Sequence, residues 1–262
     1  MSLDTTDSSG RVDLPVPPEV RIYQFAGTQH GGGDPLRQPP AVLPGFPANC
    51  QLRSNSNPFL WEQRALLEAL REWVETGREP PPSTYSTLRN HSLVKPSDVQ
   101  YPFIPAVNFT VPGITNFKFY LDRGPRFDVE DVSGIMNEPP IPRGSYTVLV
   151  PQVDADGNTA DGIRNTNVQV PLGTYLGWNV RKAGFSEGDS CDLTGGFVPF
   201  FQTKAQRLAA GDPRPSLQER YPTHAVYVAK VTAAANSLVA QRFLLPEDAT
   251  SIIAAANAAT VP

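Results

Sequence analysis

The chain has 262 residues, of which 40% are apolar, and a formal net charge of −4 from 22 basic and 26 acidic side chains. That size fits one large domain or two small ones around a sizeable core, and the composition argues against a disordered chain. The thinly spread basic residues offer no face able to follow a phosphate backbone, so no nucleic-acid partner is expected. No apolar run reaches the length of a membrane span, and MSLDTTDSSG at the start has neither the basic head nor the apolar stretch of a secretory signal; a soluble chain is expected.

The first predicted element is a strand over residues 20–25. Val20 and Ile22 point to one face and Tyr23 and Phe25 to the other, as in a strand buried on both sides. Ala26-Gly27-Thr28-Gln29-His30-Gly31-Gly32-Gly33 then reads as a small, polar loop leaving the strand's C-terminal end. A helix is predicted over 58–76, with Asn57 as N-cap and Pro58 in the first helical position. Its apolar stripe comprises Phe59, Leu66, Leu70 and Trp73, widened by Leu67 and Val74, and Gly77 with Pro80-Pro81-Pro82 ends it.

The 28 prolines, about twice the usual share, concentrate before residue 151 and imply long irregular connections. Residues 83–150 read as loops and short strands. Strands are predicted at 146–150 and 168–170, flanking Asp154-Ala155-Asp156-Gly157-Asn158, whose Asp-Gly pair is a turn signal. Alternate acids there resemble a calcium loop, but Thr159 stands where the turn glycine belongs and no glutamate closes the loop, so a turn is expected. The C-terminal third is predicted helical over 198–210, 216–243 and 246–258. Ser216 and Glu219 have capping-box spacing, Pro222 forces a kink or restart, and Val226, Val228, Val231, Ala234, Leu238 and Phe243 form the buried side.

Cys50 and Cys191 permit one disulfide in an exported protein or two buried thiols otherwise, and the sequence leaves that choice and the location open. His30, His91 and His224 are too scattered for a zinc site, and no metal or other cofactor is expected. His224, near the Pro222 restart, reads as a capping or surface histidine, and His91 as a solvated loop residue. His30 differs, because a serine nucleophile needs an adjacent imidazole to take its proton and return it to the leaving group. Such a base sits suitably on a glycine-rich loop at a strand end.

Ile22-Tyr23-Gln24-Phe25-Ala26-Gly27-Thr28-Gln29-His30-Gly31-Gly32-Gly33 resembles the histidine-bearing strand and loop of the large bacterial α/β-hydrolase domain-containing proteins. The resemblance extends to Arg64-Ala65-Leu66-Leu67-Glu68-Ala69-Leu70-Arg71-Glu72-Trp73-Val74, Asp156-Gly157-Asn158, Val170-Pro171-Leu172-Gly173-Thr174-Tyr175, and Gly211-Asp212-Pro213-Arg214-Pro215-Ser216-Leu217 before Glu219-Arg220-Tyr221. It implies an α/β chain with a partial α/β-hydrolase fold: the C-terminal strand and helices of the sheet, a loop- and hairpin-rich insertion, and a helical C-terminus. The implied divisions are 1–82, carrying the histidine loop, 83–196 and 197–262.

The resemblance also implies a serine-histidine-acid triad cleaving small-molecule ester or acyl substrates, with His30 as the general base. In that fold the chain order is nucleophile, acid, histidine, yet only 29 residues precede His30. The one G-x-S-x-G string, Gly184-Phe185-Ser186-Glu187-Gly188, follows the histidine and has charged flanks, so Ser186 reads as a surface-loop residue. Asp4, Asp7 and Asp13 lie at the start of the chain, and Asp34 would need an unusual geometry to act as the acid. His30 is therefore the single catalytic candidate. The expectation is a C-terminal portion of an esterase-like hydrolase, inactive alone, whose partner is a missing N-terminal hydrolase part. The alternative is a non-catalytic interaction module derived from a hydrolase.

Overall fold

The computed structural model describes residues 2–31, 49–105, 118–131, 134 and 136–261. The chain divides into two compact units: residues 1–20, 86–99 and 110–152 form unit 1, and residues 21–85, 100–109 and 153–262 form unit 2.

Unit 1 holds α1 (Ser2–Thr5), β1 (Leu93–Val94), a 3-10 turn (Pro96–Asp98), β2 (Phe119–Asp122), β3 (Ile141–Ser145) and β4 (Val150–Pro151). β1 pairs antiparallel with β4 and β2 with β3. The predicted strand at 146–150 shrinks to the two residues of β4. Side chains stand in for missing ladder bonds. The Asp13 carboxylate accepts from the Leu88 and Arg89 amides at 2.9 and 3.0 Å, and the Ser2 hydroxyl accepts from the Leu149 amide at 2.9 Å. Asp7 accepts from the Ser9, Arg11 and Val12 amides, and hydrogen bonding to these groups and to the Ser9 hydroxyl lowers its pKa to about 2.

Unit 2 carries α2 (Leu60–Thr76), α3 (Thr166–Gln169), β5 (Gly173–Leu176), β6 (Gly196–Pro199), α4 (Lys204–Ala210), α5 (Leu217–Arg220), α6 (His224–Ala240) and α7 (Pro246–Ala258). Its core lies where α6 packs against α7 and α3, and it includes Trp61, Ile163, Phe200, Tyr221, Tyr227, Val231, Leu238, Phe243, Leu244 and Ile252. Ser216 and Glu219 form the expected capping box, and after Pro222 the helix restarts with Thr223 as its cap. Tyr227, between the half-buried Val226 and Val228, is the fully buried residue on that turn.

Other expectations are corrected. Val198 belongs to β6, and the helix predicted from there begins at Lys204, behind an unforeseen Thr203–Gln206 capping box. Val168 sits in the short α3, capped by Asn165, in place of a strand. Helix α2 ends at Gly77 as expected, but its N-cap is Phe59 and its buried residues are Trp61, Glu62, Ala65 and Ala69. Leu67 and Val74 of the predicted stripe are 67% and 79% exposed. Apolar periodicity locates a helix but does not say which side its neighbours cover.

The segment at 22–26 is extended and half-buried to buried, but single-residue partners replace the expected ladder. Thr84 donates to the Ile22 carbonyl at 2.9 Å and accepts from the Gln24 amide at 3.0 Å. Ile163 donates to the Gln24 carbonyl at 2.7 Å and accepts from the Ala26 amide at 3.0 Å. Both bridges are parallel. Tyr23 packs edge-on against Phe243, and Phe25 stacks on Phe59 with ring centres 5.3 Å apart.

Candidate functional site

His30 lies five residues beyond the Phe25 bridge, on an exposed turn. The loop leaves the extended segment through Gly27, whose φ of +62° is open to glycine at low cost. Its amide donates to the Thr159 hydroxyl at 3.2 Å. Thr28 turns its hydroxyl back to the Phe25 carbonyl at 3.2 Å, and the buried Gln29 accepts from the Gly31 amide at 2.5 Å. The His30 amide donates to the Leu193 carbonyl at 3.2 Å. Among the described residues the His30 ring has no hydrogen-bond partner, which leaves it accessible. Gly32, Gly33 and Asp34 fall outside those residues.

Buried asparagines hold this irregular backbone. Asn55 donates from its side-chain amide to the Gly27 carbonyl at 2.8 Å and to the Leu176 carbonyl of β5 at 3.0 Å. Asn57 donates to the Ala26 and Gly27 carbonyls at 3.0 and 3.1 Å, while Asn165 donates to the Asn57 side-chain oxygen at 2.9 Å. The predicted helix cap at Asn57 is therefore replaced by a longer-range role. Asn179 brackets Leu52, accepting from its amide at 3.2 Å and donating to its carbonyl at 3.0 Å. Asn158 likewise brackets β5, donating to the Gly173 carbonyl and accepting from the Tyr175 amide. A carboxamide carries the same donor and acceptor as a peptide group, so one side chain can take the place of a strand residue.

The Asp154–Asn158 segment is the expected turn, closed by the Val153–Thr159 bridge. Its carboxylates pair with arginines: Asp154 with Arg164 at 2.6 Å, and Asp156 with both terminal nitrogens of Arg220. Nearby, Asp212 and Arg214 form an ion pair with both side chains 1% exposed, and Arg214 also donates to the Thr174 hydroxyl at 2.7 Å and the Val198 carbonyl at 3.2 Å. Arg214 and Arg220 both lie over the Phe200 ring. These buried groups tie β5 and β6 to the segment before α5.

Cys50 and Cys191 are joined in a disulfide, two residues from the Leu193 carbonyl that receives the His30 amide. Ser186 has φ of +59° and sits on an exposed loop. That loop is closed like a hairpin by the Val180–Ser190 bridge and by the Arg181 amide donating to the Asp189 carbonyl at 2.8 Å. A strand-to-helix elbow is not its setting. His91 occupies a turn at φ +59°. His224 opens α6 with its two ring nitrogens 3.1 and 3.2 Å from the carbonyls of Val261 and Asn257, so it reaches across to the end of α7. Among the described residues no helix is long and apolar enough to cross a membrane.

The sequence model of the family described as Alpha/beta hydrolase domain matches residues 3–254. The chain belongs to the alpha/beta hydrolase domain family. Comparison with curated proteins and with solved structures found no match. In this member the asparagine lattice went unforeseen, because asparagine amid glycine and proline signals a turn. Its sequence trace is the recurrence of Asn55, Asn57, Asn158, Asn165 and Asn179 outside the predicted helices and strands.

Proposed function

We propose that this chain supplies His30 as the general base of a serine hydrolase cleaving esters or related acyl bonds, with the nucleophile coming from polypeptide outside these 262 residues. The observation that carries the reading is the placement of His30. It stands exposed beyond the end of a half-buried to buried extended segment, in a chain matched almost throughout by a hydrolase family. In such a reaction the serine oxygen attacks the acyl carbon while the imidazole takes the hydroxyl proton. Collapse of the tetrahedral intermediate breaks the bond to the leaving group, which receives that proton. Water repeats the sequence and frees the acid. An exposed ring on a loop whose backbone is fixed suits both proton transfers.

The test is treatment of the purified chain with a fluorophosphonate probe and short-chain nitrophenyl esters. Neither labelling nor turnover is expected. Labelling that disappears in Ser186→Ala would overturn the reading and make Ser186 the nucleophile. The second reading, an interaction module without catalysis, draws on the uncovered Leu67, Leu70 and Val74 side of α2. It predicts self-association in size-exclusion chromatography with light scattering, abolished by Leu67→Glu.

A further inference from the structure

We infer that Asn57, backed by Asn55 and Asn165, is the positioning residue of His30; this rests on the base role proposed above. Its amide is fully committed: both N–H groups go to consecutive carbonyls, those of Ala26 and Gly27, and its oxygen receives Asn165. A flip of the amide would set oxygen against two carbonyl oxygens and nitrogen against the Asn165 donor, so a single orientation is permitted. Asn165 is fixed in turn, because it also donates to the Pro58 carbonyl at 2.7 Å and caps α3 through the Val168 amide at 3.3 Å. Asn55 accepts from the Asn57 backbone amide at 2.8 Å and ties the same Gly27 carbonyl to β5. The Gly27 carbonyl thus takes two side-chain donors at the point where the chain turns left-handed, three residues before His30.

Asn55 also reaches the far side of the loop. The Asn55 backbone N–H donates to the Thr194 carbonyl at 2.9 Å, next to the Leu193 carbonyl that receives the His30 backbone N–H. Gly195 completes this wall: a Cβ there would meet the Leu176 carbonyl at 2.3 Å and the Gln29 Cβ at 3.1 Å, so a larger residue would push on the loop itself. The side chain is exposed while the backbone beneath it is held. A general base needs that division, since it has to address both nucleophile and leaving group from one anchored position.

The test uses the full chain with 13C- and 15N-labelled histidine, whose three histidines give three resolvable ring signals, His30 being assigned by His30→Gln. In Asn57→Ala the His30 ring and amide signals are expected to move to positions typical of a mobile loop, with amide exchange about tenfold faster. His91 and His224 should keep their signals. A role confined to stability would lower the unfolding midpoint yet leave the His30 signals of the native state in place; that result overturns the inference. Should Asn57→Ala fail to fold, Asn165→Ala is judged by the same criterion. Since no turnover is measured, the positioning claim and the hydrolase reading stand or fall on separate experiments.

Discussion

Around Leu238 unit 2 buries Val231, Ala235, Phe243 and Ile252, side chains with no polar atoms to satisfy. Around His30 it buries Asn55, Asn57, Asn165 and Asn179, each making several hydrogen bonds to backbone or to one another. Apolar burial is non-directional and tolerates any side chain of about the right volume. Amide struts fix direction and demand a donor and an acceptor at set points. The helical region therefore supplies stability, and the strutted region supplies geometry where the backbone has few ladders of its own.

The largest test concerns the polar exception inside the helical region. Glu62 is 1% exposed, and among the described residues both its carboxyl oxygens lack a hydrogen-bond partner, as does one oxygen of the nearby Asp248 carboxylate, whose other oxygen pairs with Arg64. Burial raises the Glu62 pKa from 4.5 to about 8, and burial also raises that of Asp248. A folded pKa above the unfolded one gives stability that is complete below about pH 4.5 and is lost as pH rises through 8. At about 1.36 kcal/mol per pH unit the loss is roughly 5 kcal/mol. Denaturant unfolding of Glu62→Gln should show little of this decline between pH 5 and pH 8.5. An unchanged decline would mean that another group governs it.

Next in size is Asp212→Ala, which leaves the Arg214 guanidinium buried without its counter-ion. A cost of about 4 kcal/mol is expected in urea unfolding, and less than about 1 kcal/mol would place solvent beside that pair. The contrast itself is sharpened by two mild substitutions. Leu238→Met, which conserves volume, should cost about 1 kcal/mol. Asn158→Asp, nearly identical in shape, turns a donor to the Gly173 carbonyl into an acceptor and should cost about 2 kcal/mol. If the two costs come out reversed, the division between the regions fails.

The two regions also differed in how far sequence could reach them. The starts of α5 and α7, the Pro222 interruption and the Gly77 stop are local signals, carried by the residues that perform them. The strutted region is assembled from positions far apart in the chain: Asn57 meets Ala26 across 31 residues and Asn165 across 108. No spacing rule marks such partners, and the same asparagines serve equally well as turn formers. His30 stood out in the sequence as a candidate through its glycine-rich loop and its family resemblance, and its part as a base is the proposal made above. The asparagines beneath it came to light only in three dimensions, as did the disulfide beside the Leu193 segment.

Hydrogen exchange followed by mass spectrometry on Asn57→Ala tests the account most directly, because it reads both regions in one molecule. Peptides covering residues 25–31, 50–57 and 190–196 should lose protection, while those covering 227–238 keep the protection of the unsubstituted chain. Uniform loss across all peptides, or an unchanged 25–31 segment, would contradict the view that buried amides fix His30 independently of the helical core.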